Sequence, residues 1–360
     1  MVVPDEVYKY CRPGSVVEAD LRINVPDKMS VREAKGLLGA PSLFEEWNVA
    51  AEPYHFDVNF HNQLKARLLG KRVVTQVIRE STIAHRDFLD PYGNPLRDLD
   101  VLQSAIAWHL STTAFYKAGG RPWKINGIRD GVCYIGMVFK QDDRSQDPRT
   151  ACCAAQMFLD SGDGIVFKGD VGPWYSGRKG DFHLDAKAAY ALVKKAVDEY
   201  AAKKGSPPKE LFLHGKVRFN DEEWSGFRQA AGDKTTVVGV RIRDEMDLKL
   251  YTKRKNPILR GVAFVRDDRT AYLWTCGFTP RLRTYPGREV PKPLLIDVCR
   301  GNVKIETVLG DIMSLTKLNY NACIFADGDP VTLKFADAVG EILSAGPIKE
   351  TPPLPFKHYI

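Results

Sequence analysis

The sequence predicts an α/β protein. Segments with the 3.6-residue periodicity of amphipathic helices alternate along the chain with short β-branched or apolar runs bounded by glycine, proline or polar residues. This alternation is typical of folds in which helices cover a sheet with buried central strands. The 360 residues, 44% of them hydrophobic, are enough for two domains with their own cores.

The first part of the chain combines a short strand with two helices. It opens on the apolar VVP, continues through a polar, proline-bearing stretch to about residue 54, and then reads FHNQLKARLL, where apolar spacing predicts a helix. The β-branched run VVTQVIRE predicts a strand leaving that helix. A second helix is predicted from about Leu99 to Lys117, where Ala-Gly-Gly stops it. We place a domain boundary after residue 124.

The second part begins with three strand-like runs separated by short polar connections, which predict an antiparallel meander. A long amphipathic helix follows and ends at Gly205. Further strands and a closing helix complete the order of a ribonuclease-H-like core. The predicted strands are GVCYIGMVF, ACCAAQMFLD, GIVFKG, ELFLHGKV, TTVVGVRI, GVAFVRD and TAYLWTCG, and the helices are HLDAKAAYALVKKAVDEYAAKKG and TLKFADAVGEILS.

The charge balance favours an anionic partner without specifying one. The net charge is +7, which an ordinary solvated basic face would also give. Basic residues are grouped in KLYTKRKNPILRG and TPRLRTYPGREVPKP, and such stretches suit a phosphate backbone. The candidate backbone contacts are Lys253, Arg254, Lys255, Arg281 and Arg283.

Several function classes are disfavoured. The seven cysteines form no C-x-x-C pair, so neither zinc nor a disulfide framework is indicated. There is no signal-peptide pattern and no apolar run near the roughly 20 residues that span a bilayer, which predicts a cytoplasmic protein without a membrane partner. The absence of G-x-G-x-x-G after a strand and of a P-loop disfavours a small-molecule enzyme with a Rossmann-like first domain.

Four side chains predict a site for a nucleic-acid 5′-phosphate. His61 and Lys65 are one helical turn apart and project from the same helix face. Gln76 lies in the following strand-like run, and Lys117 ends the second helix. Two ammonium groups, an imidazole and an amide can neutralise a terminal phosphate and donate hydrogen bonds to it. Each residue taken singly also suits an ordinary surface position.

The chain resembles the MID and PIWI half of an Argonaute, most closely a short prokaryotic Argonaute. The resemblance runs through VVPDEVYKYC, HNQLKARLL, TQVIRE, FYKAGGRPWK, YIGMVF, DGIVFKG, LTKLNYN and DPVTLKFADAVGEI. It implies a Rossmann-like MID domain over 1–124, with its earlier elements missing or supplied elsewhere, and a ribonuclease-H-like PIWI domain over 125–360. Residues 12–54 match no part of the family.

The resemblance assigns the guide 5′-phosphate to the same four residues, His61, Lys65, Gln76 and Lys117. It also implies a Mg²⁺ ion that bridges guide phosphates. The ligands of this ion would be the amide oxygen of Gln76 and the C-terminal carboxylate, here that of Ile360.

Target cleavage in active family members resembles two-metal hydrolysis, which needs several carboxylates. The matching positions hold Met137, Val138 and His214, and only Asp337 is acidic. The resemblance therefore implies a PIWI domain that binds a duplex without cutting it. The alternative is an active ribonuclease-H-like guided nuclease with a divergent acidic set, drawn from Asp163, Asp170, Asp185 and Asp337.

The family resemblance also implies the partners. They are a guide RNA, a complementary single-stranded DNA target, and a separate APAZ-containing protein that carries a TIR, sirtuin-like or nuclease effector. We therefore expect a heterodimer that acts in prokaryotic defence, with any catalysis residing in the effector.

Overall fold

The computed structural model describes residues 1–10, 33, 36–37, 40–51, 60–95, 99–124, 129–141, 150–159, 164–173, 182–253, 255–285, 287, 289–320, 326–345 and 353–360. Arg254, Asp163 and most of the stretch 12–54 lie outside these residues. So do the side chains of Val138, Asp170 and Asp337, although their backbone is described.

The first part holds a two-stranded parallel sheet, β1 (Val2–Val3) beside β2 (Ile78–Arg79). The strand expected over VVTQVIRE is reduced to β2, so Gln76 lies outside regular secondary structure, two residues before β2 begins. The described partner strand β1 is only two residues long and is followed by Pro4, which has no N–H to continue a ladder. The helices of this part are α1 (Asp5–Tyr10), α2 (Glu45–Ala51), α3 (Phe60–Leu69), α4 (Glu80–Ile83) and α5 (Leu99–Lys117).

A nine-stranded mixed sheet dominates the second part, in the order β11-β5-β4-β3-β6-β7-β10-β9-β8. The strands β3, β4 and β5 form the predicted antiparallel meander, and β3, β6 and β7 run parallel to one another. The predicted α/β class with a ribonuclease-H-like second part is confirmed. The strands are β3 (Val132–Gln141), β4 (Thr150–Leu159), β5 (Gly164–Pro173), β6 (Glu210–Gly215), β7 (Thr236–Asp244), β8 (Ala263–Asp267), β9 (Thr270–Leu273), β10 (Leu294–Arg300) and β11 (Leu354–Pro355).

Helices cover both faces of this sheet. Alternate residues of β3 divide between two cores, with Ile135 in the one that includes helices α6 and α7 and Tyr134 in the one that includes α8 and α10. No helix in the described parts of the chain combines the length and apolar character needed to cross a membrane. The helices are α6 (Ala186–Lys204), α7 (Asp221–Ala231), α8 (Ile305–Leu315), α9 (Val331–Lys334) and α10 (Ala336–Ala345).

Some of these elements differ from the sequence prediction. The helix expected from HLD begins only at Ala186, because Asp185 caps it by accepting a hydrogen bond from Ala188 N at 2.7 Å. The closing helix is two helices, α9 and α10, separated at Phe335. The strand β10 and the helices α7 and α8 were not predicted.

The two parts of the chain share one hydrophobic core. Ala66 and Leu69 of α3 and Tyr116 of α5 belong to the core on the α8 and α10 face of the large sheet. Tyr116 stacks on Tyr320 with ring centroids 4.4 Å apart. The C-terminal residues join the same core, and Ile360 is only 7% exposed. This packing places the end of the chain beside α3.

Candidate functional site

The four residues predicted to bind a phosphate lie in one cluster. Lys117 donates from Nζ to Gln76 Oε1 at 2.5 Å and to the main-chain oxygen of Thr75 at 2.7 Å. Lys65 donates from Nζ to the main-chain oxygen of Ile360. The cluster therefore joins the helices α3 and α5 to the segment before β2 and to the C-terminal residues. Gln76 is part of it although it does not belong to a strand.

Lys65 of this cluster is buried, His61 and Lys117 are half-buried, and the pKa values of all three are lowered. Lys65 is only 3% exposed, and burial together with the charge of Lys117 lowers its pKa to about 6. Burial lowers the pKa of Lys117 to about 8. Burial, followed by the Lys65 charge, lowers the pKa of His61 to about 4, although a hydrogen bond to Asn62 opposes this shift.

The charges that lower the pKa values of His61 and Lys65 are those of neighbouring ammonium groups, on Lys65 and Lys117. A dianion bound among them would replace mutual repulsion by attraction and would favour the charged form of each group. The cluster is therefore an arrangement that favours an anion with several acceptor oxygens, as a terminal phosphate has.

Sequence reasoning missed the residues that hold His61. Asn62, which is 2% exposed, lies with Oδ1 3.3 Å from His61 Nδ1 and donates from Nδ2 to Glu341 Oε2 at 3.2 Å. Lys140 of β3 donates to the other oxygen of Glu341 at 3.3 Å. Neither Glu341 nor Lys140 is near His61 in sequence, so only the fold could reveal this connection.

The part of the sheet around His214, one of the predicted cleavage positions, packs against α9. Gly136 of β3 pairs with Gln156 on one side and with His214 on the other. The main chain of Thr332 in α9 covers Gly136 so closely that a Cβ there would lie 1.9 Å from the Thr332 oxygen. His214 is 1% exposed, and its Nδ1 lies 2.9 Å from Thr332 Oγ1.

Of the remaining predicted cleavage positions, only Met137 has a described side chain. Met137 is buried in the core that includes α6 and α7, on the opposite face of the sheet from Tyr134. Val138 pairs with Ala154 in β4, and Asp337 is the second residue of α10. The side chains of Val138 and Asp337 lie outside the described residues.

Among the acidic residues of the alternative nuclease reading, Asp185 is the helix cap described above. Asp170 lies in β5, and Asp163 is outside the described residues. In the described part of the chain, no group of three or more His, Cys, Asp or Glu side chains could hold a metal.

The pKa of buried His214 predicts a specific acid sensitivity. Burial lowers this pKa from 6.5 to about 3, so the folded protein keeps the ring neutral. The unfolded chain binds a proton below pH 6.5, and stability is therefore lost as the pH falls from 6.5 toward 3. At pH 5 the expected loss is about 2 kcal/mol.

The measurement is the free energy of unfolding of the wild-type protein and of His214→Gln at pH 7 and pH 5. The difference between the two proteins should move by about 2 kcal/mol in favour of the variant at pH 5. A difference that stays constant between the two pH values would contradict a neutral, buried ring.

Four of the five basic residues predicted to contact a phosphate backbone are described, and all four are on the surface. Lys253 and Lys255 lie exposed between β7 and β8, and Arg281 and Arg283 lie exposed at the 3₁₀ helix Pro280–Leu282. Arg283 has a left-handed backbone with φ of 51°.

No protein-family model and no curated protein matches the sequence. Solved structures do match its fold. The Argonaute of Clostridium butyricum, bound to a guide DNA and a 19-mer target DNA, has a TM-score of 0.60 and 17% sequence identity. The match covers 79% of this chain and 35% of that one.

Two structures of A. aeolicus Argonaute also match. One has a TM-score of 0.53, and the other, with externally bound siRNA, has a TM-score of 0.54. Each match has 17% identity and covers 82% of this chain and 38% of the other. The chain therefore has an Argonaute-like fold and spans little more than a third of the length of these proteins.

Proposed function

We propose that this chain is a guide-directed nucleic-acid-binding protein that anchors the phosphorylated 5′ end of its guide at His61, Lys65, Gln76 and Lys117. The observation that carries the proposal is the contact of Lys117 with Gln76 beside the buried Lys65, in a cluster whose basic groups repel one another. Charge-assisted hydrogen bonds to a terminal phosphate would relieve that repulsion.

The structural neighbours support this proposal. The Clostridium butyricum protein binds a guide DNA and a target DNA, and the fold of this chain is similar. We propose RNA as the guide and complementary single-stranded DNA as the target. Base pairing would supply the sequence specificity, while exposed basic residues such as Lys253 and Arg281 would contact the backbone.

A magnesium ion would complete the phosphate site. Two oxygens in the cluster, Gln76 Oε1 and the main-chain oxygen of Ile360, each accept a hydrogen bond from a lysine ammonium. They are hard donors of the kind that Mg²⁺ prefers, so the residues fit the ion when phosphate oxygens and water complete its shell. The ion would neutralise the part of the phosphate charge that the two lysines do not balance. Lys65 and Lys117 would then donate to the phosphate instead of to these two oxygens.

We propose further that the chain does not cut the target. Support comes from two positions where a cleaving enzyme would need carboxylates, since Met137 and His214 are both buried and the His214 ring lies against Thr332. Any output would then come from a partner. We propose an APAZ-containing effector of the TIR, sirtuin-like or nuclease type, joined in a heterodimer.

Guide binding and cleavage can be tested with one purified sample. The chain, with its partner where needed, is titrated with a labelled oligonucleotide carrying either a 5′-phosphate or a 5′-hydroxyl, in Mg²⁺ and in EDTA. The phosphorylated guide should bind at least tenfold more tightly in Mg²⁺, and EDTA should reduce this preference. A loaded complex should leave a matched DNA target intact.

Equal affinity for the two guides would contradict the phosphate site. Cleavage of the target in Mg²⁺ or Mn²⁺, abolished by Asp337→Ala, would show that the protein is an active nuclease with a divergent acidic set.

A further inference from the structure

A chain of hydrogen bonds connects His61 to the large sheet. His61 Nδ1 meets Asn62 Oδ1 at 3.3 Å, and Asn62 Nδ2 donates to Glu341 Oε2 at 3.2 Å. Glu341 lies on α10, far from the first part of the chain in sequence, and its other oxygen accepts from Lys140 Nζ of β3 at 3.3 Å. One carboxylate oxygen of Glu341 thus accepts a hydrogen bond from Asn62, and the other accepts one from Lys140.

These contacts fix the direction of the hydrogen bonds between His61 and Glu341. A carboxylate only accepts hydrogen bonds, so the Asn62 amide must turn its NH₂ group toward Glu341. Its oxygen then faces His61, and an oxygen can only accept, so the proton must lie on Nδ1 of the ring. The remaining ring nitrogen, Nε2, is left with a lone pair while the ring is neutral.

We infer that Glu341 is a positioning residue that acts through Asn62 to hold His61 in its Nδ1–H tautomer. The inference deepens the proposed phosphate site and rests on it for its functional meaning. In this tautomer Nε2 carries no proton, so His61 can donate to a phosphate only after Nε2 is protonated and the ring becomes an imidazolium. The hydrogen bond from Nδ1–H to Asn62 remains in place. The ring therefore binds the phosphate as a third cation beside Lys65 and Lys117.

The tautomer can be measured directly by long-range ¹H–¹⁵N correlation spectra of protein labelled at histidine nitrogens, at pH 7.5. The His61 signal is the one missing from His61→Phe. The wild-type protein should show the Nδ1–H form. In Glu341→Gln, the oxygen of the new glutamine should accept from Lys140, and its NH₂ group should face Asn62. The Asn62 amide should then turn its oxygen toward the glutamine and its NH₂ group toward His61, which gives His61 the Nε2–H form.

Lys140→Met supplies the matched control. Alone it should leave the Nδ1–H form unchanged, because Glu341 still accepts from Asn62. Added to Glu341→Gln it should restore Nδ1–H, because the glutamine oxygen is then free to face Asn62. The signals of the other six of the seven histidines report whether each variant remains folded.

Guide binding provides the second readout. Glu341→Ala removes the acceptor that orients the Asn62 amide, so affinity for a 5′-phosphorylated guide should fall by about three- to tenfold through lost preorganisation of the ring. Affinity for the 5′-hydroxyl guide should stay constant. An Nε2–H form in the wild-type protein, or the same tautomer in wild-type and both Glu341 variants, would overturn the inference. If the tautomers behave as expected but wild-type protein binds both guides equally, the phosphate site fails and the positioning role stands.

Discussion

Replacing Lys65 by methionine is expected to reduce affinity for a 5′-phosphorylated guide by about ten- to a hundredfold. The lost interaction is a charge-assisted hydrogen bond to phosphate, which is worth roughly 1.5–3 kcal/mol. Methionine keeps most of the volume of a side chain that is 3% exposed, so the packing around α3 is preserved. Affinity for a 5′-hydroxyl guide should change much less, because that end offers no phosphate.

The matched control is Lys71→Met, which removes an exposed ammonium just beyond the end of the same helix. It should leave the preference for the phosphorylated guide intact. If Lys65→Met and Lys71→Met weaken both guides by the same factor, Lys65 contributes only general positive charge, and the phosphate site must be placed elsewhere.

The residues of this site could be predicted from sequence because their signals are local. His61 and Lys65 share a helix face through simple periodicity, and the glycines after Lys117 mark the end of its helix. Gln76 was predicted because its amide can bind phosphate and because it lies in a strand-like run. The structure places it before β2, outside any strand. Its position in the cluster therefore depends on the contact with Lys117 and not on a strand.

What could not be predicted depends on contacts between distant segments. Glu341 and Asn62 are 279 residues apart, and no local pattern connects them. The covering of Gly136 by Thr332 likewise arises only when α9 packs on β3. Local periodicity also missed the helix α8, although several of its residues are buried in the core of the large sheet.

Introducing a single methyl group at Gly136 is expected to destabilise the protein strongly. A Cβ built there would lie 1.9 Å from the oxygen and 2.6 Å from the carbonyl carbon of Thr332, and both atoms are main chain, which cannot rotate aside. Gly136→Ala should therefore cost about 3 kcal/mol, the upper part of the range for overpacked cores. The measurement is the free energy of unfolding from a denaturant titration.

Gly310→Ala is the matched control, because a Cβ at this position in α8 meets nothing within 4 Å. It should be neutral or should stabilise the protein by up to about 1 kcal/mol, since alanine restricts the unfolded chain and favours helix. A Gly136→Ala variant as stable as the wild-type protein would mean that α9 can move away from β3. In that case α9 would leave room beside His214 for the water and metal ions that a cleavage site needs. A large loss confined to Gly136→Ala would instead show that the strand has no room there for any side chain, acidic or otherwise.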